Sequence, residues 1–411
     1  MVVLRALQLG DLLCTVPAFR ALRAALPEAE ISLVGLPWAA EFVARFGAYL
    51  DRFIEFPGYP GLPEREPQIE RIEPFLAALQ RERYDLAIQM HGSGTVTNPL
   101  LLRFGAQRIA GYYRPSDTCP DPATFLPFPE HEHEVRCHLR LLEFLGAPAC
   151  GEEIEFPLTP EDYVQLAALP QTAALQPGEY VCVHPGARWP SRRWPVERFA
   201  AVADALAGQG LRVVLTGSEG ERELTAAVAA AMRAPALDLA GRTSLGALGA
   251  LLGGARLLVC NDTGISHVAA GTRTPSVVVV LGSEPVRWAP LDLSLHRIAT
   301  QPIACRPCSY RACPIGHPCA LAVTPEQVLA LARDLTPFPS PLGRDDPACR
   351  ARAPYTAGHR TTNRAEPPGQ WPVDSGTNTR RGPLSIPGRH QSLSDAGCEM
   401  QSDAGRRGAA P

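Results

Sequence analysis

Residues Cys260-Asn-Asp-Thr-Gly-Ile-Ser-His267, continuing through Val268-Ala-Ala-Gly271 to Thr274-Pro-Ser-Val-Val-Val-Val-Leu-Gly282, decide the fold. The apolar run from Leu257 to Cys260 reads as a buried parallel strand. Asp262-Thr-Gly264 then turns the chain, and Gly264 onward reads as a helix. A helix that starts this way points unpaired N–H groups and a positive dipole end above the sheet edge, which makes a phosphate seat. A second strand follows from Ser276 to Leu281. The unit is strand, turn, helix, turn, strand. Its loop lies at the carboxyl ends of the strands, where open α/β sheets bind ligands. Taken alone, the same turn also reads as an ordinary connection capped by Asp262 or Thr263.

The same alternation runs along most of the chain. Strands are expected at Val2 to Leu7, Glu30 to Leu36, Asp51 to Phe56 and Asp85 to Met90. Helices are expected at Asp11 to Leu26, Trp38 to Phe46, Gln68 to Glu82 and Glu132 to Leu145. Residues 151–178 read as a linker with one short helix. A second run then begins, with strands at Tyr180 to His184, Arg212 to Thr216, Arg256 to Cys260 and Ser276 to Leu281. Its helices fall at Val196 to Ala207, Glu219 to Met232, Leu245 to Leu252 and Gly264 to Ala270, with a last one capped by Thr324. Strands alternating with helices imply parallel sheets covered on both faces. The fold class is therefore α/β, with two Rossmann-like domains facing each other across a cleft. The divisions are 1–165, 175–335 and a tail, 336–411, rich in Pro, Gly, Arg, Ser and Thr, which reads as disordered.

A length of 411 residues suits two domains plus extras, and 45% apolar with 20% charged residues suits soluble globular ones. The net charge of -3 gives no electrostatic footprint for nucleic acid. All 39 residues of the Lys and Arg total are arginine. No leader peptide and no transmembrane run is visible, so a cytoplasmic protein is expected. The 12 cysteines are then reduced thiols, and metal binding is a better reading of a cluster than disulfides. Cys305, Cys308, Cys313 and Cys319, with His317 between, have spacing that resembles a structural zinc site. Packed or redox-sensitive thiols are the other reading. His131-Glu-His133 lacks a third ligand and reads as a polar helix start.

A second landmark is Val183-His-Pro-Gly-Ala-Arg-Trp-Pro-Ser-Arg-Arg-Trp-Pro-Val-Glu-Arg-Phe199, after the first strand of the second half. Arginines here reach toward the same edge as the Asp262 loop, and a guanidinium suits a pyrophosphate. The alternative is a solvated basic loop. His184-Pro-Gly-Ala, Arg192-Arg-Trp-Pro-Val-Glu-Arg-Phe, Asn261-Asp-Thr-Gly-Ile-Ser-His-Val-Ala-Ala and Thr274-Pro-Ser-Val with Gly282, in this order, resemble the family 9 glycosyltransferases. These are the bacterial heptosyltransferases of the lipopolysaccharide inner core. Leu9-Gly-Asp-Leu-Leu-Cys-Thr-Val-Pro-Ala-Phe-Arg-Ala-Leu22 looks like the opening of that family. The resemblance covers about residues 1 to 335.

The resemblance implies the GT-B fold, with acceptor binding in the first domain and nucleotide-sugar binding in the second. It implies inverting, metal-independent transfer of a sugar, typically heptose from ADP-heptose, to a glycolipid or oligosaccharide hydroxyl. No cofactor is required, and peripheral contact with the inner membrane is implied by the lipid acceptor. Asp11 is the candidate general base; as a bare residue it reads as a helix cap. Arg192, Thr263 and Gly264 are candidates for the leaving diphosphate. The family's usual residue at Arg192 is lysine, so the charge is kept and the geometry changes. Asp262 orients the sugar or caps its helix. His267 faces the cleft or is a core histidine. Glu221, in Thr216-Gly-Ser-Glu-Gly-Glu-Arg222, contacts the nucleoside or serves the helix dipole. Other classes are a non-catalytic nucleotide-sugar-binding protein and an epimerase on the same fold. Asp11 discriminates, because binding alone needs no acid there.

Overall fold

The computed structural model describes residues 1–335, so the reading of 336–411 as a tail lies outside the described residues. In the first half the strands are β1 (Val2–Leu4), β2 (Ser32–Gly35), β3 (Arg52–Glu55), β4 (Leu86–Gln89), β5 (Arg108–Tyr113) and β6 (Phe125–Pro127). Its helices are α1 (Leu9–Leu13), α2 (Val16–Ala25), α3 (Ala39–Arg45), α4 (Ile69–Glu82), α5 (Thr97–Leu102) and α6 (Glu134–Phe144), and α7 (Pro160–Ala167) follows in the connection. The second half has β7 (Tyr180–His184), β8 (Arg212–Leu215), β9 (Ala236–Asp238), β10 (Leu257–Asn261), β11 (Ser276–Val279) and β12 (His296–Ala299). Its helices are α8 (Val196–Ala207), α9 (Arg222–Ala231), α10 (Leu245–Gly254), α11 (Gly264–Gly271), α12 (Pro285–Trp288), α13 (Pro318–Ala322) and α14 (Pro325–Leu335).

The two sheets have six strands each, ordered β3-β2-β1-β4-β5-β6 and β12-β11-β10-β7-β8-β9. Every recorded pairing is parallel. Renumbered within its own half, the second order repeats the first. The central strands are continuous apolar runs because helices cover both faces; Val2, Val3, Leu4, Val181, Cys182, Val183, Leu258 and Val259 are fully buried. Burial of such a side chain is worth roughly 1.5–3 kcal/mol each. Among the described residues no helix is long and apolar enough to cross a membrane.

The expected helix from Asp11 to Leu26 is two helices. Pro17 lies in the first turn of α2 and has no N–H to continue the α1 ladder. The Thr15 hydroxyl donates to the Asp11 carbonyl at 2.9 Å at this break. The segment read as a linker is docked rather than loose. Phe156 is buried, and its N–H donates to the Gly271 carbonyl at 3.2 Å. Gly249 makes the room: a Cβ there would come within 2.4 Å of the Phe156 ring. Arg45 stacks over that ring at 4.6 Å and pairs with Asp162 through bonds of 2.7 and 2.9 Å. Four outer strands, β5, β6, β9 and β12, were not expected from sequence. Three of them, β6, β9 and β12, have only three or four residues, and β5, though six residues long, is exposed or half-buried at its ends, so none shows a continuous apolar run.

Candidate active site between the two sheets

In an open α/β sheet the ligand crevice lies where the strand order reverses. Those points fall between β1 and β4 in the first half and between β7 and β10 in the second. A cavity of about 240 Å³ lies between the loops that leave them. Gln8, Gly10 and Asp11 line it from the first half. Ala187, Arg188, Trp189 and Arg192 follow β7, while Asp262, Thr263, Gly264 and His267 follow β10; Trp288 adds a wall from α12. A larger depression of about 590 Å³ on α4 is lined by Pro74, Ala77, Gln80, Arg81 and Arg83. It gathers only two guanidiniums and no acid or N-terminal helix end, so the chemistry belongs to the smaller cavity.

On the first side, α1 is only five residues long, so it is fixed from outside. Arg5 is fully buried, and its guanidinium donates to the Asp11 carbonyl at 3.1 and 2.7 Å, to the Met90 carbonyl and to Glu134 at 3.0 Å. It ties the turn after β1 to the end of β4. The Gln8 N–H donates to Asp11 Oδ2 at 3.1 Å. Asp11 is thus a helix-start residue and a cavity-lining acid at once. Burial pushes its carboxyl up; Arg5 opposes that and the Glu134 charge adds to it.

On the second side, Asn261 organises both loops. Its amide donates to the carbonyls of Pro185 at 2.7 Å and Gly186 at 3.3 Å, and its oxygen accepts the Trp194 N–H at 3.0 Å. Asp262 accepts a bond from the Ser283 hydroxyl. Burial raises its carboxyl, while Ser283 and the nearby Arg192 oppose that. The first turn of α11 leaves N–H groups without intrahelical partners facing the cavity. The Arg192 guanidinium lies 5.1 Å over the Trp189 ring. His267 faces the cleft: its ring packs on Gly10, where a Cβ would come within 2.9 Å, and its Nδ1 lies 3.6 Å from Cys14 Sγ. Burial lowers this imidazole to about 4, so it is neutral and donates one hydrogen bond at most.

Asp11, Arg192, Asp262, Thr263, Gly264 and His267 are therefore brought together, and Glu221 stands apart. Glu221 Oε2 accepts the Ser218 N–H and hydroxyl, both at 2.8 Å, and its other oxygen crowds Gly186. It braces the loop after β7 from behind and does not line the cavity. The zinc expectation is not met: among the described residues no group of three or more His, Cys, Asp or Glu side chains is gathered as a metal ion requires. Cys305 is exposed and Cys319 is buried. His317 is occupied elsewhere, with Nε2 at 2.7 Å from the Ser191 carbonyl, while its N–H donates to Cys313 Sγ at 3.2 Å. His133 is a helix start as read, its Nδ1 accepting the Val135 N–H at 3.2 Å. Arg5, Glu134, Asn261 and Trp288 were missed as site residues. Only Asn261 lay in a quoted motif.

Comparison with known proteins agrees with this geometry. A family model described as glycosyltransferase family 9 (heptosyltransferase) matches residues 73–318. Lipopolysaccharide heptosyltransferase 3 of Escherichia coli is 24% identical over 294 residues, covering 68% of this chain and 83% of that protein. Lipopolysaccharide heptosyltransferase 2 of Escherichia coli K12 is 36% identical over 113 residues, covering 26% of this chain and 32% of that protein. Among solved structures, the Escherichia coli ADP-heptose LPS heptosyltransferase II superposes with a TM-score of 0.65 at 21% identity, covering 81% of this chain and 97% of that one. Escherichia coli heptosyltransferase WaaC with ADP-2-deoxy-2-fluoro heptose gives 0.57 at 20% identity, covering 82% and 99%. At such identities the superpositions speak for the fold, which is GT-B. With its matched span, its two parallel sheets and the cavity between them, the chain belongs to glycosyltransferase family 9, the heptosyltransferases.

Proposed function

We propose that this protein is an inverting, metal-independent transferase that moves heptose from ADP-heptose to a hydroxyl of the lipopolysaccharide core or a related glycan. The observation that carries the reading is the meeting, in one cavity, of an acid from the first half and an anion seat from the second. Asp11 is the general base that takes the acceptor proton. The hydroxyl oxygen then attacks the anomeric carbon, and the bond to the diphosphate breaks on the opposite face. The N–H groups of Thr263 and Gly264 and the guanidinium of Arg192 receive the developing diphosphate charge. With no metal in the scheme, fixed donors must carry that charge. Asp262 and neutral His267 orient the sugar, and Glu221 supports the nucleoside end through the loop it braces. In this reading residues 1–165 take the acceptor and 175–335 the nucleotide sugar. The acceptor's lipid brings the protein to the cytoplasmic face of the inner membrane.

Heat stabilisation of the purified protein against a panel of nucleotides and sugar nucleotides tests the donor site. A ligand at about 100-fold its Kd adds roughly 2.7 kcal/mol. ADP or ADP-heptose is expected to stabilise the wild type and to lose that effect in Arg192→Ala. A folded protein that responds to no nucleotide would overturn the reading in favour of another ligand class.

A further inference from the structure

Helix α6 begins with two side chains that reach into the second half. His133 uses Nδ1 to accept from Val135, so Nε2 carries the proton and donates to the Ala289 carbonyl at 2.7 Å. Glu134 is the next residue, its side chain only 5% exposed. It collects Arg5 at 3.0 Å, His138 at 3.2 Å and Arg287 from α12. Arg287 also donates to the Pro129 carbonyl at 3.2 Å and stacks on Phe128 at 4.9 Å and Trp288 at 5.6 Å. Trp288 is a wall of the cavity, and Arg5 holds the Asp11 carbonyl. One chain of contacts therefore runs from the donor-side wall, through Arg287, Glu134 and Arg5, to the backbone of Asp11.

The charges fit such a role. Burial alone would raise the Glu134 carboxyl, but the His138 hydrogen bond and the charges of Arg5 and Arg287 outweigh it and hold it well below the usual carboxylate range. His138 is lowered to about 4 by burial and by Arg5, so it is neutral. Two guanidiniums then face one carboxylate, and Asp11 is the next carboxyl that feels the Arg5 charge. A buried ion of this kind contributes little net stability against an apolar substitute, so its use here is to fix geometry.

Resting on the transfer reading above, we propose that Glu134 is a positioning residue: with Arg5 and Arg287 it holds the Asp11 turn of one half in register with the donor-side wall of the other. The test uses the full chain, with ADP-heptose and a heptose-free lipopolysaccharide core glycolipid as substrates and ADP binding measured separately. Arg287→Ala leaves Glu134 paired with Arg5 and His138, so it keeps the fold. It is expected to lower kcat by about 10²-fold, the scale of an ångström-sized misplacement, with the Kd for ADP changed less than about twofold. Arg287→Lys is expected to recover about tenfold of that loss through its retained charge. Arg136→Ala, which removes an exposed pair between α6 and Glu152 in the following connection, is expected to change nothing.

Glu134→Gln is expected to lower kcat and move the acid limb of the pH–rate profile to lower pH. Asp11 is faced by Arg5, Cys14, His91, Glu134, Asp262 and His267, and this variant removes one of the carboxylates that oppose its ionisation. A wild-type kcat in Arg287→Ala overturns the proposal. So does a kcat loss matched by an equal loss of ADP affinity, or one that lysine does not relieve. If the wild type binds ADP but transfers no sugar, the transfer reading fails on its own. The contact chain is then judged by amide exchange at residues 9–13. Exchange about tenfold faster in Arg287→Ala supports it, and unchanged exchange overturns it.

Discussion

Asp11 enters the cavity as the third residue of a five-residue helix, with one oxygen already accepting the Gln8 N–H. Asp11→Asn keeps that shape and removes the proposed base. It is expected to cost about 10²–10⁴ in kcat while ADP binding stays the same, measured by initial rates beside calorimetry. If Asp11 is the proposed base it works only when ionised, and burial raises its pKa, so the rate is expected to climb with pH through a midpoint above the usual carboxylate range. A midpoint at or below the usual Asp value would argue against Asp11. Arg192→Ala is expected to weaken ADP by about 1.5–3 kcal/mol, the worth of a hydrogen bond to a charged group, with a smaller loss for Arg192→Lys. At this scale the cavity-lining residues that belong to a contiguous turn, Asp11, Arg192 and Asp262 to Gly264, were named from sequence, while Asn261 in the same motif was passed over because its role is to clamp a second loop. Arg5 and Glu134 are 129 positions apart and meet only after folding, so no local pattern announced them. Trp288 was hidden for the same reason. The cysteine spacing matched a ligand pattern that finds no support in the structure: among the described residues no metal-holding group is gathered, Cys319 being buried and Cys305 exposed.

Helices α1 and α11 press the two halves together at a glycine. A Cβ on Gly10 would lie 2.9 Å from His267 Cδ2 and 3.3 Å from Gly264 Cα. The second of these is backbone and cannot swing aside. Gly10→Ala is therefore expected to cost about 1–3 kcal/mol, seen as a lower unfolding midpoint, and to slow transfer by shifting Asp11. Phe156→Ala empties the notch beside Gly249 and is expected to cost about 3–5 kcal/mol with little change in ADP affinity. Elements were readable from sequence where their physics is local. The central strands are unbroken apolar runs because both faces are covered. Of the edge strands β3 was expected and β6, β9 and β12 were not; none of these three is buried along its whole length. The α1–α2 break was also signalled locally, by Pro17, although the apolar period runs straight across it.

Over the whole molecule, buried histidines set the response to acid. His138, His267 and His296 are each lowered to about 4 chiefly by burial, and His133 is lowered as well. Below about pH 6.5 the unfolded chain takes up protons that the folded chain refuses, so stability falls from there toward pH 4. Asp11 and Asp262, raised by burial, act in the opposite sense: their contribution is greatest at low pH and is lost as pH rises through their folded values. Glu134 and Asp162, held low by their partners, add stability above the unfolded carboxylate range that disappears as pH falls through their own. Denaturant midpoints at pH 7.5, 6.0 and 5.0 are expected to decline in that order. A flat series would mean that these histidines accept protons in the folded state. Asn261 carries a different consequence. By clamping Pro185, Gly186 and Trp194 it sets the loop after β7, proposed above to lie beside the nucleotide, before any ligand arrives. The ordering entropy of that loop is spent during folding, so little is left to be lost at encounter. In a stopped-flow experiment ADP is then expected to associate in one exponential phase, with an observed rate that stays linear in concentration and never levels off at the speed of a loop closing.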